Sequence, residues 1–420
     1  MKKQITIILM LVFCIAIGVF AQEQETTETP RTLTIMLYPY IPDPGNDNFA
    51  AMIERLETEF EALYPEVDLT IIMDMNYNTY DTDVLAEVFA STGPNAVEFD
   101  LMMLGYVQEQ GWIPPVSLPD PNVFPVAVDA STISNELFAI PTRVCSLYLF
   151  AFDKEITQAS NTQEYIDIIA EIDPNNEYRN LLGEFYGKDS LPIYYTAFYI
   201  GMYGAAYAQE SFIMPPNQPV IDTMASMFEE CTFDGENRCV GEYYAGGLSG
   251  AAVDFADGES LSYIGFSESL NYIQNINSTD VYVSPAPFGD YITPLVYTDG
   301  IAINASNCDE QCQLDVAAFA EYYASADTQM WINLALDVPG SVPRYLLAAN
   351  LDFYRLPEVE EYPEFYQFAL PVGYGTTFPN EGFPEARGIM FPEICESLNE
   401  VMGEGTCPPP SDLVIPAKGS

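Results

Sequence analysis

Residues 138–154 read Phe-Ala-Ile-Pro-Thr-Arg-Val-Cys-Ser-Leu-Tyr-Leu-Phe-Ala-Phe-Asp-Lys. Mostly apolar and β-prone residues fill this stretch up to Phe152, and the charged pair Asp153 and Lys154 ends it. Such a run predicts a long extended segment. The predicted strand carries a thiol, Cys145, near its middle.

Strands and helices alternate before this segment. Residues 32–37 and 67–73 are predicted strands, and the apolar positions of residues 49–63 between them keep helical spacing. A helix over residues 81–90 and a strand over residues 96–103 repeat the cycle. Because short connections link these elements, we expect a parallel α/β sheet with right-handed crossovers.

The chain changes character after the central segment and later returns to it. Helices, such as one predicted over residues 162–172, and aromatic-rich stretches fill residues 151–290, which indicates a second lobe inserted into the first. Strand character resumes over residues 295–304, and helices are predicted at residues 313–324 and 328–336. Pro-Gly-Ser-Val-Pro-Arg follows at residues 339–344. The 420 residues suffice for two or three domain-sized lobes.

The N-terminus has the features of an export signal over residues 1–21. Two lysines precede an apolar stretch that ends at Ala21, and a polar, flexible leader follows over residues 22–31. The apolar stretch is short for a membrane-spanning helix, so we expect a cleaved signal peptide rather than an uncleaved anchor. The protein is then secreted or periplasmic, in a compartment where disulfides persist.

The chain is strongly acidic, with 62 Asp and Glu against 13 Lys and Arg and a net charge of −49. This charge argues against nucleic acid as a partner. It would attract a cationic small molecule toward a cleft, but the simpler interpretation is a solubilising surface in a saline or extracellular setting. We expect a monomer that acts on small molecules and has no membrane partner once the signal is removed.

Six cysteines fall into pairs that are close in sequence. This spacing predicts the disulfides Cys231–Cys239, Cys308–Cys312 and Cys395–Cys407. The alternative for Cys308 and Cys312 is a zinc site, but the chain has no histidine and no Cys-x-x-Cys, so we expect no metal. Cys14 lies in the predicted signal peptide, so Cys145 is the cysteine left over in the mature chain, and without histidine any base that activates it must be a carboxylate.

The order of these segments resembles the extracellular solute-binding proteins of ABC importers. Phe-Ala-Ile-Pro and Leu-Phe-Ala-Phe-Asp-Lys in the central segment, Asp-Gly-Ile-Ala-Ile-Asn at residues 299–304 and the closing residues 339–344 carry the resemblance. It implies a two-lobed α/β fold of the periplasmic-binding-protein type 2, with crossing strands and a ligand cleft between the lobes. Residues 32–150 would begin the first lobe, residues 151–290 form the second, and residues 291–420 complete both.

Four shorter segments are similar to the type I thiaminases, or thiamine pyridinylases, which are exported enzymes on that fold. They are Leu-Tyr-Pro-Tyr-Ile-Pro at residues 37–42, Ile-Pro at 140–141 ahead of Cys145, Gly-Phe-Ser-Glu-Ser at 265–269 and Tyr-Thr-Asp-Gly at 297–300. We expect all four at strand ends, where α/β sheets present their ligand sites.

The resemblance implies roles for particular residues. Cys145 would be the nucleophile, Glu268 its catalytic partner and Asp299 a substrate-binding acid. Further substrate-binding positions would be Tyr38, Tyr40, Asp100 and Tyr297. The implied reaction is attack of the Cys145 thiolate on the aminopyrimidine ring of thiamine, loss of the thiazole and transfer of the pyrimidine-methyl group to an amine, thiol or other nucleophile. It requires no metal or organic cofactor. The chain departs from the family at Phe266, where a tyrosine is expected.

Each assignment has a structural alternative. A lone cysteine is compatible with a buried thiol that packs as a small apolar residue, and Glu268 with an acid at a helix start. Tyr38 and Tyr40 are compatible with turn aromatics packed on prolines, and Asp299 with an ordinary turn residue. The alternative function is a solute-binding protein that captures thiamine, a pyrimidine or a sugar without reacting. A thiol and a carboxylate that face one ligand would distinguish the enzyme from the receptor.

Overall fold

The structure is a computed structural model, and it describes residues 30–185, 187–240, 249–291 and 293–403. The predicted signal peptide, most of the predicted leader and Cys407 lie outside these residues.

The strands of the described residues are β1 (Arg31–Met36), β2 (Val67–Ile72), β3 (Ala96–Asp100), β4 (Thr132–Ile133), β5 (Glu136–Leu137), β6 (Ile140–Ser146), β7 (Tyr148–Ala151), β8 (Arg179–Gly183), β9 (Thr232–Phe233), β10 (Glu236–Asn237), β11 (Ser260–Gly265), β12 (Tyr282–Pro285), β13 (Leu295–Ile303), β14 (Leu347–Ala348) and β15 (Thr376–Thr377).

The α-helices of the described residues are α1 (Ala50–Leu63), α2 (Thr82–Val88), α3 (Leu104–Glu109), α4 (Pro125–Ala130), α5 (Thr162–Ile172), α6 (Ser190–Tyr203), α7 (Gln218–Glu229), α8 (Gly250–Ala256), α9 (Ser269–Ile276), α10 (Glu310–Tyr323), α11 (Ala326–Asn333), α12 (Pro357–Glu360), α13 (Glu364–Val372) and α14 (Phe383–Met402). Short 3₁₀ helices occur at Leu101–Met103, Ile156–Gln158, Ala205–Phe212 and Phe353–Arg355.

The first lobe is built on a mixed sheet. Its strand order is β14-β6-β13-β3-β1-β2, and β15 pairs with β13. β1 pairs in parallel with β2 and β3, whereas β13 pairs antiparallel with β3 and β6. Each antiparallel pair of this sheet includes β13 or β14, which follow the inserted lobe. The expectation of a parallel sheet is therefore correct for β1 to β3 and wrong for the strands that return after the insert.

The second lobe contains a four-stranded sheet of order β12-β7-β11-β8. Within it β8 and β11 are parallel, and β7 is antiparallel to both β11 and β12. Because β8 and β11 run in the same direction, their carboxyl ends lie at the same edge of the sheet. Glu184 directly follows β8, and Glu268 follows β11 after a short turn.

Two segments connect the lobes. Only Leu147 separates β6 in the first sheet from β7 in the second, so the central segment is two strands in nearly continuous extension. The return path runs from β12 in the second sheet to β13 in the first. Cys145 therefore lies where the chain crosses between the lobes. The predicted lobe boundaries near residues 150 and 290 stay a prediction.

Helix α1 illustrates how the apolar spacing fixes the packing of the first lobe. Met52, Leu56 and Phe60 recur every four residues and are fully buried, and Phe60 packs edge-on against Phe319 of α10 at 5.5 Å between ring centroids. Each such side chain stabilises the fold by about 1.5–3 kcal/mol. The predicted apolar face is wrong at its end, because Leu63, the last helical residue, is exposed.

Candidate active site

A cleft between the two sheets encloses a cavity of about 390 Å³. All seven residues that the sequence placed in the site line this cavity: Tyr38, Tyr40, Asp100, Cys145, Glu268, Tyr297 and Asp299. They come from both lobes and from segments up to 261 positions apart in the chain. The fold therefore brings together residues that sequence distance separates.

Strand register places six polar and aromatic side chains on one face of the first sheet. Tyr297 is opposite Cys145, and Asp299 is opposite both Arg143 and Asp100. Directly opposed residues of antiparallel strands project from the same side of the sheet, as do alternate residues along one strand. Glu98 shares this face because it lies two residues before Asp100 on β3.

The expectation that all four motif segments lie at strand ends is wrong for one of them. Tyr297 and Asp299 lie inside β13 rather than at its end. The pairing of β13 with β6 shifts register between Asp299 and Gly300. Such a bulge changes the direction of the neighbouring side chain and is common beside active sites. A returning strand can therefore contribute site residues from its middle.

Cys145 is half-buried and is the free cysteine of the described residues. Burial raises the pKa of its thiol well above the usual value, and the negative charges of Glu268, Asp299 and Asp100 raise it further, while Arg143 opposes them. The thiol is therefore protonated at neutral pH. Because the thiolate is the nucleophile, a reaction at this sulfur requires a nearby proton acceptor.

Glu268 has the properties of such an acceptor. It immediately precedes α9. Burial raises the pKa of its carboxyl to about 7, although its own backbone N–H, the charge of Arg143 and the Ser267 hydroxyl each lower that pKa. The Ser267 hydroxyl donates to Oε2 at 3.5 Å, which is a long contact. An acid that merely stabilised a helix start would be expected to keep a low pKa. The raised value instead suits proton transfer near neutral pH.

Asp100 and Asp299 face each other across β3 and β13. Burial raises the pKa of Asp100 to about 7, although the Met102 N–H and the Tyr80 hydroxyl both donate to its carboxylate, at 3.0 and 3.1 Å. Burial also raises the pKa of Asp299 well above its usual value, with Arg143 acting in the opposite direction and Asp100 adding to the rise. Each of the two acids can accept a hydrogen bond from the amine of an amine-bearing ring when ionised, or donate one to a ring nitrogen when protonated.

Arg143 and Glu98 form a buried ion pair behind these acids, which sequence reasoning missed. Arg143 Nη2 lies 2.5 Å from Glu98 Oε2, and its Nε lies 3.6 Å from Asp299 Oδ2. Glu98 also accepts from the Thr142 hydroxyl at 2.6 Å and from the Tyr38 N–H at 3.0 Å. The alternation along β6 could have revealed Arg143, because it lies two residues before Cys145 and so shares its face.

Tyrosines line the first-lobe side of the cavity. The rings of Tyr38 and Tyr40 meet edge to face at 5.2 Å, and Tyr80, also missed from sequence, hydrogen-bonds Tyr38 through the two hydroxyls at 2.7 Å. The hydroxyl of Tyr297 is buried and has no hydrogen-bond partner among the described residues. Its ring contacts Phe266 edge-on at 5.7 Å, so phenylalanine at that position still packs against the site. Aromatic faces of this kind suit a flat or cationic ring.

Helix α14 links the two walls of the cleft. Arg387 binds Asp189 of the second lobe at 2.6 Å and also donates to the backbone carbonyl of Tyr80 in the first lobe. Both Asp189 and Tyr80 line the cavity. The walls are therefore held together by one guanidinium as well as by the crossing strands.

The disulfides agree with the sequence prediction where the structure describes them. Cys231–Cys239 and Cys308–Cys312 are both formed, so the zinc alternative for the second pair is wrong. Cys395 is also disulfide-bonded, and its predicted partner Cys407 lies outside the described residues.

Within the described ranges, no helix has the length and apolar character needed to cross a membrane.

Comparison with known proteins adds a sequence relative. No protein-family model matches the chain. The chain is 25% identical over 389 residues to Thiaminase-1 of Paenibacillus thiaminolyticus. The aligned region covers 89% of this chain and 88% of that protein. The resemblance to type I thiaminase is confirmed. It extends well beyond the short motifs, since it spans most of both chains.

Solved structures share the fold. Thiaminase I from Bacillus thiaminolyticus has a TM-score of 0.68 at 22% identity, covering 89% of this chain and 100% of that chain. Clostridium botulinum thiaminase I in complex with thiamin has a TM-score of 0.68 at 17% identity, covering 88% and 99%. The GacH receptor of Streptomyces glaucescens, solved unliganded and with acarbose, has a TM-score of 0.65 at 15% identity, covering 90% and 95%. The two-lobed, periplasmic-binding-protein-like α/β fold is therefore confirmed.

Proposed function

We propose that this chain is an exported thiamine-degrading transferase of the thiaminase I type. The observation that carries the proposal is a free thiol, Cys145, that shares one cavity with the half-buried Glu268, whose negative charge acts on the thiol. The sequence relative and one solved structure with thiamin bound support thiamine as the substrate. The disulfides support export.

The reaction begins with proton transfer from the Cys145 thiol to the Glu268 carboxylate. The thiolate then attacks the aminopyrimidine ring, and the C–N bond between the bridging methylene and the thiazolium breaks, so that the thiazole leaves as a neutral molecule. An acceptor nucleophile adds to the methylene, and the carbon–sulfur bond to Cys145 breaks. Thiamine carries a positive charge, and the acids of the cleft favour its binding.

The first-lobe residues hold the pyrimidine in this scheme. Asp100 and Asp299 accept hydrogen bonds from the amino group when ionised, or donate one to a ring nitrogen when protonated. The substrate rings contact Tyr38, Tyr40 and Tyr297. Arg143 acts indirectly, because its positive charge pairs with the carboxylates of Glu98 and Asp299. We propose these residue roles on the basis of their shared cavity and strand register.

A non-catalytic solute-binding protein is the second candidate, because the acarbose-binding receptor shares the fold. A receptor needs aromatic and acidic contacts, but it does not need a thiol and a base at the same ligand. The Cys145 and Glu268 pair therefore favours the enzyme.

Mass spectrometry of the mature protein incubated with thiamine and either aniline or pyridine tests the proposal. We expect free thiazole and a pyrimidine-methyl adduct of the acceptor, and we expect Cys145→Ser to lose more than about 10³-fold in rate. Ser146→Ala is the matched control, because Ser146 is the next residue and its hydroxyl donates to the Leu295 carbonyl at 2.8 Å. Thiamine binding without thiazole release by the wild-type protein would instead establish the receptor.

A further inference from the structure

Glu184 is a second carboxyl in the cleft for which neither the sequence motifs nor the proposed scheme gives a role. It directly follows β8 and lines the same cavity as Cys145. β8 pairs in parallel with β11, so Glu184 lies at the same sheet edge as the turn that carries Glu268. The charge of Glu268 raises the pKa of Glu184, which agrees with this proximity.

One oxygen of this carboxyl lacks a hydrogen-bond donor among the described residues. The backbone N–H of Ala251 donates to the Glu184 side chain. Its Oε1 is buried and has no hydrogen-bond partner among the described residues. Burial is the main cause that raises the pKa of Glu184, to about 8, so its proton-accepting carboxylate form predominates above pH 8. A buried acceptor without a donor is costly in a binding site unless a ligand supplies the donor.

Three tyrosines share the cavity with this carboxyl and lie near it. Tyr194, Tyr263 and Tyr272 all line the cavity, and the charge of Glu184 raises the pKa of each phenol, which places them near the carboxyl. Aromatic side chains around an acid are a suitable environment for a flat amine, because rings stack and the acid accepts the N–H.

The proposed reaction leaves one proton without a destination. Glu268 holds the proton of the Cys145 thiol for as long as the sulfur is bonded to the pyrimidine. The thiazole leaves as a neutral molecule and takes no proton. When a primary or secondary amine attacks, its N–H proton therefore needs a second acceptor in the same cavity.

We propose that Glu184 is this second acceptor, and that the Glu184 side of the cleft binds aromatic primary or secondary amines as acceptor substrates. The inference rests on the proposed function. The amine lone pair forms the N–CH₂ bond, electrons return to the ring and the carbon–sulfur bond to Cys145 breaks to release the thiolate. The N–H proton passes to Glu184, and the thiolate recovers its proton from Glu268.

The choice of acceptor isolates this step. Aniline loses an N–H proton on transfer, whereas pyridine has none to lose and gives a quaternary product. At pH 9, where wild-type Glu184 is ionised, Glu184→Gln should lower the ratio of the aniline rate to the pyridine rate by about 10² relative to wild type. Glu177→Gln is the matched control, since the exposed Glu177 lies just before the opposite end of β8, away from the cavity, and should keep the wild-type ratio.

If Glu184→Gln slows the reactions with aniline and pyridine equally, or slows neither, the role of Glu184 is overturned and the proposed function stays intact. If Glu184→Gln does not fold, as judged by circular dichroism, Glu184→Met keeps a similar volume without the proton acceptor and is judged by the same ratio. Absence of thiazole release by the wild-type protein with either acceptor would overturn the proposed function and this inference together.

Discussion

The two walls of the cleft use the same residue types under different constraints. On the first-lobe wall, Glu98 is ion-paired with Arg143, and Asp100 accepts two hydrogen bonds from Met102 and Tyr80. On the second-lobe wall, the Glu268 carboxyl has its own backbone N–H and the Ser267 hydroxyl as donors, and both belong to its own turn; the Ser267 contact is long, at 3.5 Å. Burial raises the pKa of both Asp100 and Glu268 to about 7.

Raised pKa values therefore do not by themselves distinguish binding from catalysis. The distinction lies in the partners. A carboxyl held by several donors is fixed in position and suits recognition, whereas a carboxyl with few donors can gain or lose a proton without breaking a network. The first-lobe wall suits binding, and the second-lobe wall suits proton transfer.

Replacement of Glu268 by glutamine tests the second-lobe wall most directly. Because the amide cannot accept the thiol proton, kcat should fall by about 10²–10⁴-fold while thiamine binding is retained. Steady-state kinetics and calorimetric titration with thiamine measure the two quantities. A kcat within threefold of wild type would show that another group activates Cys145.

Replacement of Arg143 by methionine tests the structural character of the first-lobe wall. It leaves the Glu98 charge buried and unpaired, so the free energy of unfolding in urea should fall by about 3–5 kcal/mol. Glu98→Gln added to Arg143→Met should restore much of this loss. Arg355→Met is the control, because Arg355 and Asp352 form an exposed pair that contributes about 0.5 kcal/mol or less. Equal losses from the single and double variants would contradict a specific pair.

The pH dependence follows from the sign of the Glu268 shift. Glu268 accepts a proton only when ionised, and its pKa is about 7, so thiazole release should fall about tenfold per pH unit below pH 7 and level off above it. Single-turnover rates between pH 5 and 9 measure the profile. The inflection should disappear in Glu268→Gln. If it persists there, Asp100, whose pKa is also raised to about 7, is the titrating group.

Replacement of Tyr80 by phenylalanine is expected to have the smallest effect. It removes the hydrogen bond to Asp100 and the one to Tyr38, so KM for thiamine should rise about fivefold for a loss near 1 kcal/mol, with kcat within twofold of wild type. Tyr77→Phe is the matched control, because Tyr77 lies three residues before Tyr80 and does not line the cavity. A large fall in kcat would assign Tyr80 to the chemistry.

The sequence predicted elements where local signals were strong. The helix predicted from residue 162 to 172 matches α5 at both ends, and the helix predicted over 49–63 differs from α1 by one residue. The mixed direction of the first sheet was not predictable from local pattern, because the pairing of β13 depends on where the chain returns after the insert.

The candidate site divides in a similar way. Cys145, Glu268 and Asp299 stand in short motifs, so the resemblance could place them. Arg143, Glu98 and Glu184 have no such motif, and their importance follows from strand register and burial. Alternation along β3 and β6 could have indicated the first two, but no local pattern marks Glu184.

The sequence by itself determined the chemical groups: one cysteine left over from the pairs after the predicted signal peptide, no histidine, and acids and tyrosines in recognisable segments. Tertiary structure decided which of these groups meet and how each one ionises. The physical reason is that a pKa depends on burial and on charges a few ångströms away, and both arise only when strands distant in sequence become neighbours.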